Sequence, residues 1–274
     1  MPSPPFTVTF LGTGTSTGIP MIGCSCAVCT SPNPRNRRMR PSIVVGVATD
    51  EGRKNLLVDT TPEMRLQMLA ANVERVEAVL ITHTHADHIF GMDDIRQFNF
   101  RHGMRMPIYG TPPTLDHLRR VFDYCFMETQ AGGGKPQLEL QPIAAGEPLR
   151  LLGLDVLPLT VFHGGLPVLA FKFGARFAYV TDVSRIPDEA RPHLRSLDAL
   201  VIGTVRYDPH PTHFGLYQAL DEIADLAPRR AYLTHLSHHF DHDRVNAELP
   251  PGVELAYDGL TLEIAGGGAG DAPA

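Results

Sequence analysis

The sequence has no tryptophan, four cysteines and 7% aromatic residues, so neither a disulfide framework nor aromatic stacking can carry the fold. With 274 residues and 43% hydrophobic content the chain can bury a substantial core, which excludes a disulfide-stapled mini-protein. Positive charge is also short. Twenty-four Lys and Arg stand against 30 Asp and Glu, a formal charge of −6 with histidine neutral. That balance argues against a basic nucleic-acid coat, although a local basic patch is compatible with it. Apolar runs are strand-sized, far short of the roughly 20 residues a membrane helix needs, so no membrane partner is expected. Met1-Pro-Ser-Pro-Pro5 has neither the basic nor the apolar region of a secretory signal, and the expected location is cytoplasmic. Charged residues at 20%, interspersed with apolar runs, exclude global disorder.

Histidine, by contrast, is plentiful: 13 residues, mostly clustered. Three of the four cysteines fall in Cys24-x-Cys26-x-x-Cys29. Thiols this close are poorly placed to bridge one another, but their spacing suits a soft metal, zinc above all, completed by a fourth ligand from elsewhere. Cys125 shares the apolar face of a predicted helix over 114–126 with Leu115, Leu118, Val121 and Phe122, and reads as core.

Phe6–Phe10 alternates as a strand, then breaks at Leu11-Gly-Thr-Gly14, a tight turn rather than a dinucleotide loop because no helix follows. Loop 31–41 carries four arginines and no acid, and reads as a solvated loop or an anion-steering rim. Strands are predicted over 42–49, 55–59, 78–81, 107–109, 137–143, 149–162, 168–173, 177–181, 199–202 and 231–233. Helices are predicted from Pro62 and over 87–98, 187–197, 213–227 and 242–249, with a hinge at Gly132–Gly134 and a closing hairpin over 253–264 around Asp258-Gly259. Two β-rich halves, each with helices, imply two sheets packed face to face with helices outside. This is an α+β, four-layer αβ/βα sandwich, read as one domain over 1–264 with a disordered tail over 265–274.

The densest cluster, His83-x-His85-x-Asp87-His88, lies at the end of a predicted buried strand. Strand alternation lets His83 and His85 point the same way, while Asp87 and His88 follow where the chain turns into a helix and can face a second metal. His163, Asp182 and His235 each follow an apolar strand and precede a turn. His102, His117 and His193 have no ligand-type neighbours and read as ordinary surface or core residues.

In chain order, this run followed by His, Asp and His at strand ends resembles the metallo-β-lactamase-fold hydrolase superfamily over residues 6–264. Leu11-Gly-Thr-Gly14, the strand end Leu57-Val-Asp59-Thr60 and the pair Thr181-Asp182 fit the same pattern. The resemblance implies the metallo-β-lactamase fold and two divalent ions, Mn, Zn or Fe. His83, His85 and His163 would hold one, Asp87, His88 and His235 the other, with Asp182 bridging and Asp59 holding the histidine loop from behind. Two divalent cations against two carboxylates leave about +2, or about +1 with a bridging hydroxide, which attracts a phosphodiester monoanion. The resemblance makes Asp87 and His213 catalytic. His213, in Pro211-Thr-His-Phe-Gly215, would be the general acid for the leaving alkoxide, with Thr212 capping the following helix and His210 a poorer substitute.

The cysteine cluster with His235-x-x-His238 resembles a narrower branch, the bacterial phosphonate-pathway phosphodiesterases that open a phosphoribosyl 1,2-cyclic phosphate. That likeness implies a structural zinc on Cys24, Cys26, Cys29 and His238, with His239 and His242 as rivals for the last place. The expected function is a two-metal phosphodiesterase of small cyclic or nucleotide-type diesters, with a pocket formed near 90–104, 125–136 and 206–213. A tRNA 3′-processing nuclease of the ribonuclease Z type shares the metal run but carries a basic RNA-gripping arm, whereas 127–137 holds a single lysine, so RNA is not the expected partner. The non-catalytic pyrroloquinoline-quinone biosynthesis B protein also carries a Cys-x-Cys-x-x-Cys cluster, but the full ligand set here favours an enzyme. Relatives are commonly dimers; a homodimer is compatible with the sequence, which names no seam for it.

Overall fold

The computed structural model describes residues 2–128 and 134–267. Residues 132 and 133 of the expected hinge and 268–274 of the expected tail lie outside the described residues, whereas Gly267 pairs with Ser3 in an isolated antiparallel bridge. Alternation builds the strands. In β1 (Phe6–Gly12), Phe6, Val8 and Phe10 join a core shared with the other half of the chain, and Leu11 faces away from it. The same division separates Ile43, Val45 and Val47 from Val44 in β2 (Ser42–Thr49), and Leu56 and Val58 from Leu57 in β3 (Gly52–Val58). Both faces are apolar because both are covered.

The first sheet continues with β4 (Ala78–Leu80), β5 (Met106–Gly110) and β6 (Leu138–Pro142). The second comprises β7 (Leu149–Leu151), β8 (Leu154–His163), β9 (Leu166–Phe173), β10 (Phe177–Val180), β11 (Ala199–Gly203), β12 (Ala231–Thr234) and β13 (Val253–Leu255). The last strand, β14 (Thr261–Ile264), returns to the first sheet, giving orders β14-β1-β2-β3-β4-β5-β6 and β13-β12-β11-β10-β9-β8-β7. A core containing Phe10, Phe171, Phe173 and Tyr179 lies between the sheets. Helices α1 (Met64–Ala70), α2 (Ala86–Ile89), α3 (Arg96–His102) and α4 (Pro112–Val121) follow strands of the first sheet, whose outer core they share. Helices α5 (Arg191–Leu194), α6 (Leu216–Leu226) and α7 (His242–Glu248) do the same for the second. The four-layer α+β sandwich expected from the sequence is the fold observed. Among the described residues no helix is long and apolar enough to cross a membrane.

Four local readings are corrected. The strand predicted over 149–162 is a hairpin, turned by Leu152 and Gly153 at φ 52° and 77°, the two positive values that the tightest right-twisted hairpins require. The hairpin predicted over 253–264 is not one: β13 pairs with β12 and β14 with β1, in different sheets. Asp258 instead accepts hydrogen bonds from Thr13 Oγ1 and the Met39 amide, both at 2.7 Å, and so fastens the crossing. The helix predicted over 87–98 is interrupted at Gly91, whose backbone lies so close to the Thr61 carbonyl that no Cβ would fit. Finally, loop 31–41 is not solvated throughout: Arg35 and Arg37 are exposed, but two of its arginines are engaged. Arg38 is buried and donates to the carbonyls of Ser237 (3.3 Å) and Phe240 (2.8 Å), and Arg40 pairs with Glu63.

Candidate metal centre

The C-terminal ends of β3, β4, β8, β10 and β12 deliver Asp59, the 83–88 loop, His163, Asp182 and His235 to one edge of the sandwich. Three of these turns are made by non-glycine residues in the left-handed region: Asp59 (φ 63°), Asp182 (49°) and His235 (60°). Such a conformation costs about 1–2 kcal/mol per residue and concentrates where function fixes the side chain.

Ligand-type atoms of His83, His85 and His163 lie within 4.8 Å of one another, as do those of Asp87, His88, Asp182 and His235. A third such group, His163, Asp182 and His213, joins the first two into one centre. All seven predicted positions therefore come together. Asp182 stands in the middle: Oδ2 is 3.2 Å from His88 Nε2 and Oδ1 is 3.1 Å from His235 Nε2, while Asp87 Oδ2 is 3.4 Å from His88 Nε2.

The supporting bonds fix the imidazoles. His88 Nδ1 donates to Asp59 Oδ2 at 2.7 Å, and His163 Nδ1 donates to the Thr212 carbonyl at 2.6 Å. The Thr82 hydroxyl donates to Asp59 at 2.8 Å and so accepts from His83 Nδ1 at 3.0 Å. With their protons committed to Nδ1, these rings turn Nε2 lone pairs inward, the orientation a metal ligand needs. The buried Nε2 atoms of His83, His88 and His235 have no hydrogen-bond partner. An unpartnered buried polar atom costs about 1–3 kcal/mol, and a cation at the centre answers all three together.

Electrostatics point the same way. Burial pushes His83 well below its ordinary value. Burial also favours neutral His235 and His88, yet Asp182 outweighs it, driving His235 up to about 9 and His88 well above the usual range. The upward shifts record the negative potential that Asp182 and Asp87 set at the centre. Asp59 is fully buried behind His88 and accepts the Thr82 amide at 2.8 Å, so it acts through the loop rather than at the centre. Asp59→Asn, which tolerates the left-handed backbone there, is expected to weaken metal retention about 10–100-fold, read by titration against a chelator. Thr82, which joins Asp59 to His83, was not legible beforehand; its only signal is adjacency to the histidine run.

His213 Nδ1 lies 4.0 Å from Asp182 Oδ1, and its ring stacks on His235 with centroids 4.7 Å apart. Burial, then the His235 charge, holds it down at about 3. It does not open a Thr212-capped helix as expected. Helix α6 begins three residues later, where Gln218 Oε1 accepts the Gly215 amide at 3.0 Å, leaving Thr212 to hold His163. His210 is at one remove, its ring 5.2 Å from that of His213.

A second group lies in the loops. His238 Nδ1 is 3.2, 3.6 and 3.8 Å from the sulfurs of Cys24, Cys26 and Cys29, a set that could hold a metal ion. The Cys29 amide holds the Cys26 thiol down at about 6, whereas burial pushes Cys29 up to about 11. The rival histidines are engaged elsewhere: His239 Nδ1 with Ser237 Oγ at 2.8 Å, His242 Nε2 with Asn246 at 3.0 Å. Cys125 is buried in the outer core of the first sheet, as expected.

This fold and centre define a class. Residues 54–236 match the model of the beta-lactamase superfamily domain, and the chain belongs to that superfamily. Within it the chain is similar to a crystal structure described as a new diphosphatase from the PhnP family, 40% identical, covering 95% of this chain and 97% of that one at a TM-score of 0.87. An octanoyltransferase of Porphyromonas gingivalis (strain ATCC BAA-308 / W83) is 37% identical over 93% of this chain. The chain spans only about half of that relative's length, 51%. Zn²⁺-bound PqqB from Methylobacterium extorquens, at 22% identity, 94% and 100% coverage and a TM-score of 0.75, shares the fold. The fold and the PhnP-family neighbour support a hydrolase that uses divalent metal ions.

Proposed function

We propose that the chain is a two-metal phosphodiesterase of small cyclic or nucleotide-type diesters. The observation that carries the reading is Asp182, set between His88 and His235 with the inward-turned imidazoles around it. His83, His85 and His163 would hold one ion, Asp87, His88 and His235 the other, with Asp182 shared. A mixed imidazole and carboxylate set suits Zn²⁺, Mn²⁺ or Fe²⁺. When bound, two such ions supply charge that attracts a phosphodiester and activate the attacking water. Cys24, Cys26, Cys29 and His238 would hold a structural zinc. With Arg38 buried and Arg40 paired to Glu63, the arginine loop lends little to an RNA-binding reading.

The chain's own residues orient and protonate. Asp59 and Thr82 lock the histidine loop, and the Thr212 carbonyl locks His163. His213, held neutral by its surroundings, becomes an acid only when a phosphate anion beside it stabilises the imidazolium, and its proton then goes to the departing alkoxide. His213→Ala is expected to lower kcat about 10²–10⁴-fold for an alkyl diester. The loss should be far smaller with p-nitrophenolate, which leaves without a proton. The direct test of the function is turnover of bis-p-nitrophenyl phosphate by Mn²⁺-reloaded protein; silence with both ions bound would overturn it.

A further inference from the structure

The loop between β11 and α6 carries both Thr212, whose carbonyl holds His163, and His213, yet its backbone does little to hold itself. Among the described residues no main-chain to main-chain hydrogen bond involves residues 207–213. The nearest run from the Val205 amide to the Phe214 carbonyl at 3.2 Å and from the Phe214 amide to the Val183 carbonyl at 2.7 Å. Pro209 and Pro211 fix φ at two positions and have no N–H to give. Side chains must therefore shape the loop. Arg206 Nη2 donates to the Pro209 carbonyl at 2.6 Å. His210 acts next: its Nδ1 lies 3.3 Å from the Thr212 amide and 3.2 Å from Thr212 Oγ1. An amide only donates, so Nδ1 is the acceptor and the ring proton sits on Nε2. The closure has the form of an Asx-turn, with an imidazole nitrogen in place of the asparagine oxygen. The far side of Thr212 is packed as tightly, since a Cβ on Gly164 would stand 2.9 Å from Thr212 Cγ2. The His213 ring lies 4.4 Å from that of His163, centroid to centroid.

We infer that His210 is a positioning residue of the metal centre: through Thr212 it holds His163 in its ligating orientation and His213 beside Asp182. The inference rests on the two-metal reading and assigns that site one more part. The amide that His210 accepts and the carbonyl that His163 bonds flank the same Thr212 Cα, so fixing one peptide plane restrains the other. Without the Nδ1 acceptor the Thr212 amide turns to water, and the carbonyl that commits the His163 proton to Nδ1 loses its fixed direction. His213 follows Thr212 directly and moves with it. The role that the sequence gave His210, a poorer substitute for the acid, is replaced. Its Nδ1 is occupied within its own loop, and it acts on the centre only through Thr212.

The test is a Mn²⁺ titration of chelator-stripped protein followed by electron paramagnetic resonance. Thiolates do not select Mn²⁺, so the signal reports the centre rather than the cysteine cluster. His210→Ala is expected to raise the Kd for Mn²⁺ about tenfold, the scale of one lost hydrogen bond. His210→Asn, whose amide oxygen is as many bonds from Cα as Nδ1, should return the Kd to within about threefold of wild type. His210→Gln, which reaches one bond further, should behave as alanine does. On metal-loaded protein His210→Ala should lose more kcat, with KM little changed, on an alkyl diester than on bis-p-nitrophenyl phosphate, because a displaced His213 matters only where the leaving group needs a proton. A Kd in His210→Ala within about twofold of wild type, or asparagine no better than glutamine, would overturn the inference. Equal kcat losses on the two diesters would overturn the part that concerns His213. Should alanine unfold the chain, the asparagine and glutamine variants carry the same decision. If wild type turns over neither diester, the phosphodiesterase reading fails, and the Mn²⁺ titration still decides for His210.

Discussion

Asp182→Asn is expected to cut phosphodiester turnover about 10³-fold or more and to leave at most two metal ions per chain, against the three that the proposed two-metal centre and zinc site would hold. Several kcal/mol of charge stabilisation rest on a shared carboxylate, and each 1.36 kcal/mol is a factor of ten. Asparagine is the informative choice because residue 182 sits at φ 49°, which asparagine tolerates and alanine does not. The backbone should therefore hold, while the amide puts an N–H at one of the two places where His88 and His235 meet a carboxylate oxygen, 3.2 and 3.1 Å away. The Thr181 hydroxyl, now donating to Oδ2 at 2.6 Å, keeps a carbonyl acceptor if the amide flips, so the side chain stays anchored. Metal content by emission spectroscopy and kcat on bis-p-nitrophenyl phosphate check the claim. A variant with full metal and turnover within tenfold of wild type would overturn the proposed shared role of Asp182.

Cys26→Ser should cost one metal ion per chain and at least about 2 kcal/mol of stability, a fall in Tm of roughly 5 °C at this length. The loop it fastens has little else to hold it. Its own apolar cluster is Ile19, Val28 and Cys29 with a few half-buried neighbours, and Ile22 is fully exposed. A metal ion would substitute for a core that a loop this small cannot build. The loss should reach the catalytic edge, because His238 lies three residues beyond His235, while Arg38 still grips Ser237 and Phe240 and limits the damage. Calorimetry and a metal count read both effects; an unchanged Tm with an unchanged count is incompatible with a zinc site here.

The metal run was legible because its chemistry is local. His83 to His88 are consecutive at one strand end, so neither sheet register nor topology was needed to group them. His163, Asp182 and His235 became legible only through their order along a known pattern, since nothing in each residue's surroundings separates it from a turn residue. The layered fold followed from period-two alternation. The local errors share one cause, a short-range signal overruled by a distant partner. Asp258-Gly259 reads as a hairpin turn, but Thr13 and Met39 claim the aspartate. Leu152 is no turn residue by type, yet β7 and β8 force it to φ 52°. Arg38 reads as solvated until the 237–240 loop closes over it.

The late return of β14 bears on how the protein is made. The edge of β1 that β14 covers, Phe6 to Thr9 against Ile264 to Thr261, is uncovered until residue 264 has been synthesised. While residues 13–260 are being synthesised the nascent chain presents one side of an apolar strand with unsatisfied N–H and C=O groups, a template for pairing with another copy. Dense, rapid expression therefore favours edge-to-edge association of unfinished chains, and any truncation that stops before Thr261 leaves the same edge open in the finished molecule.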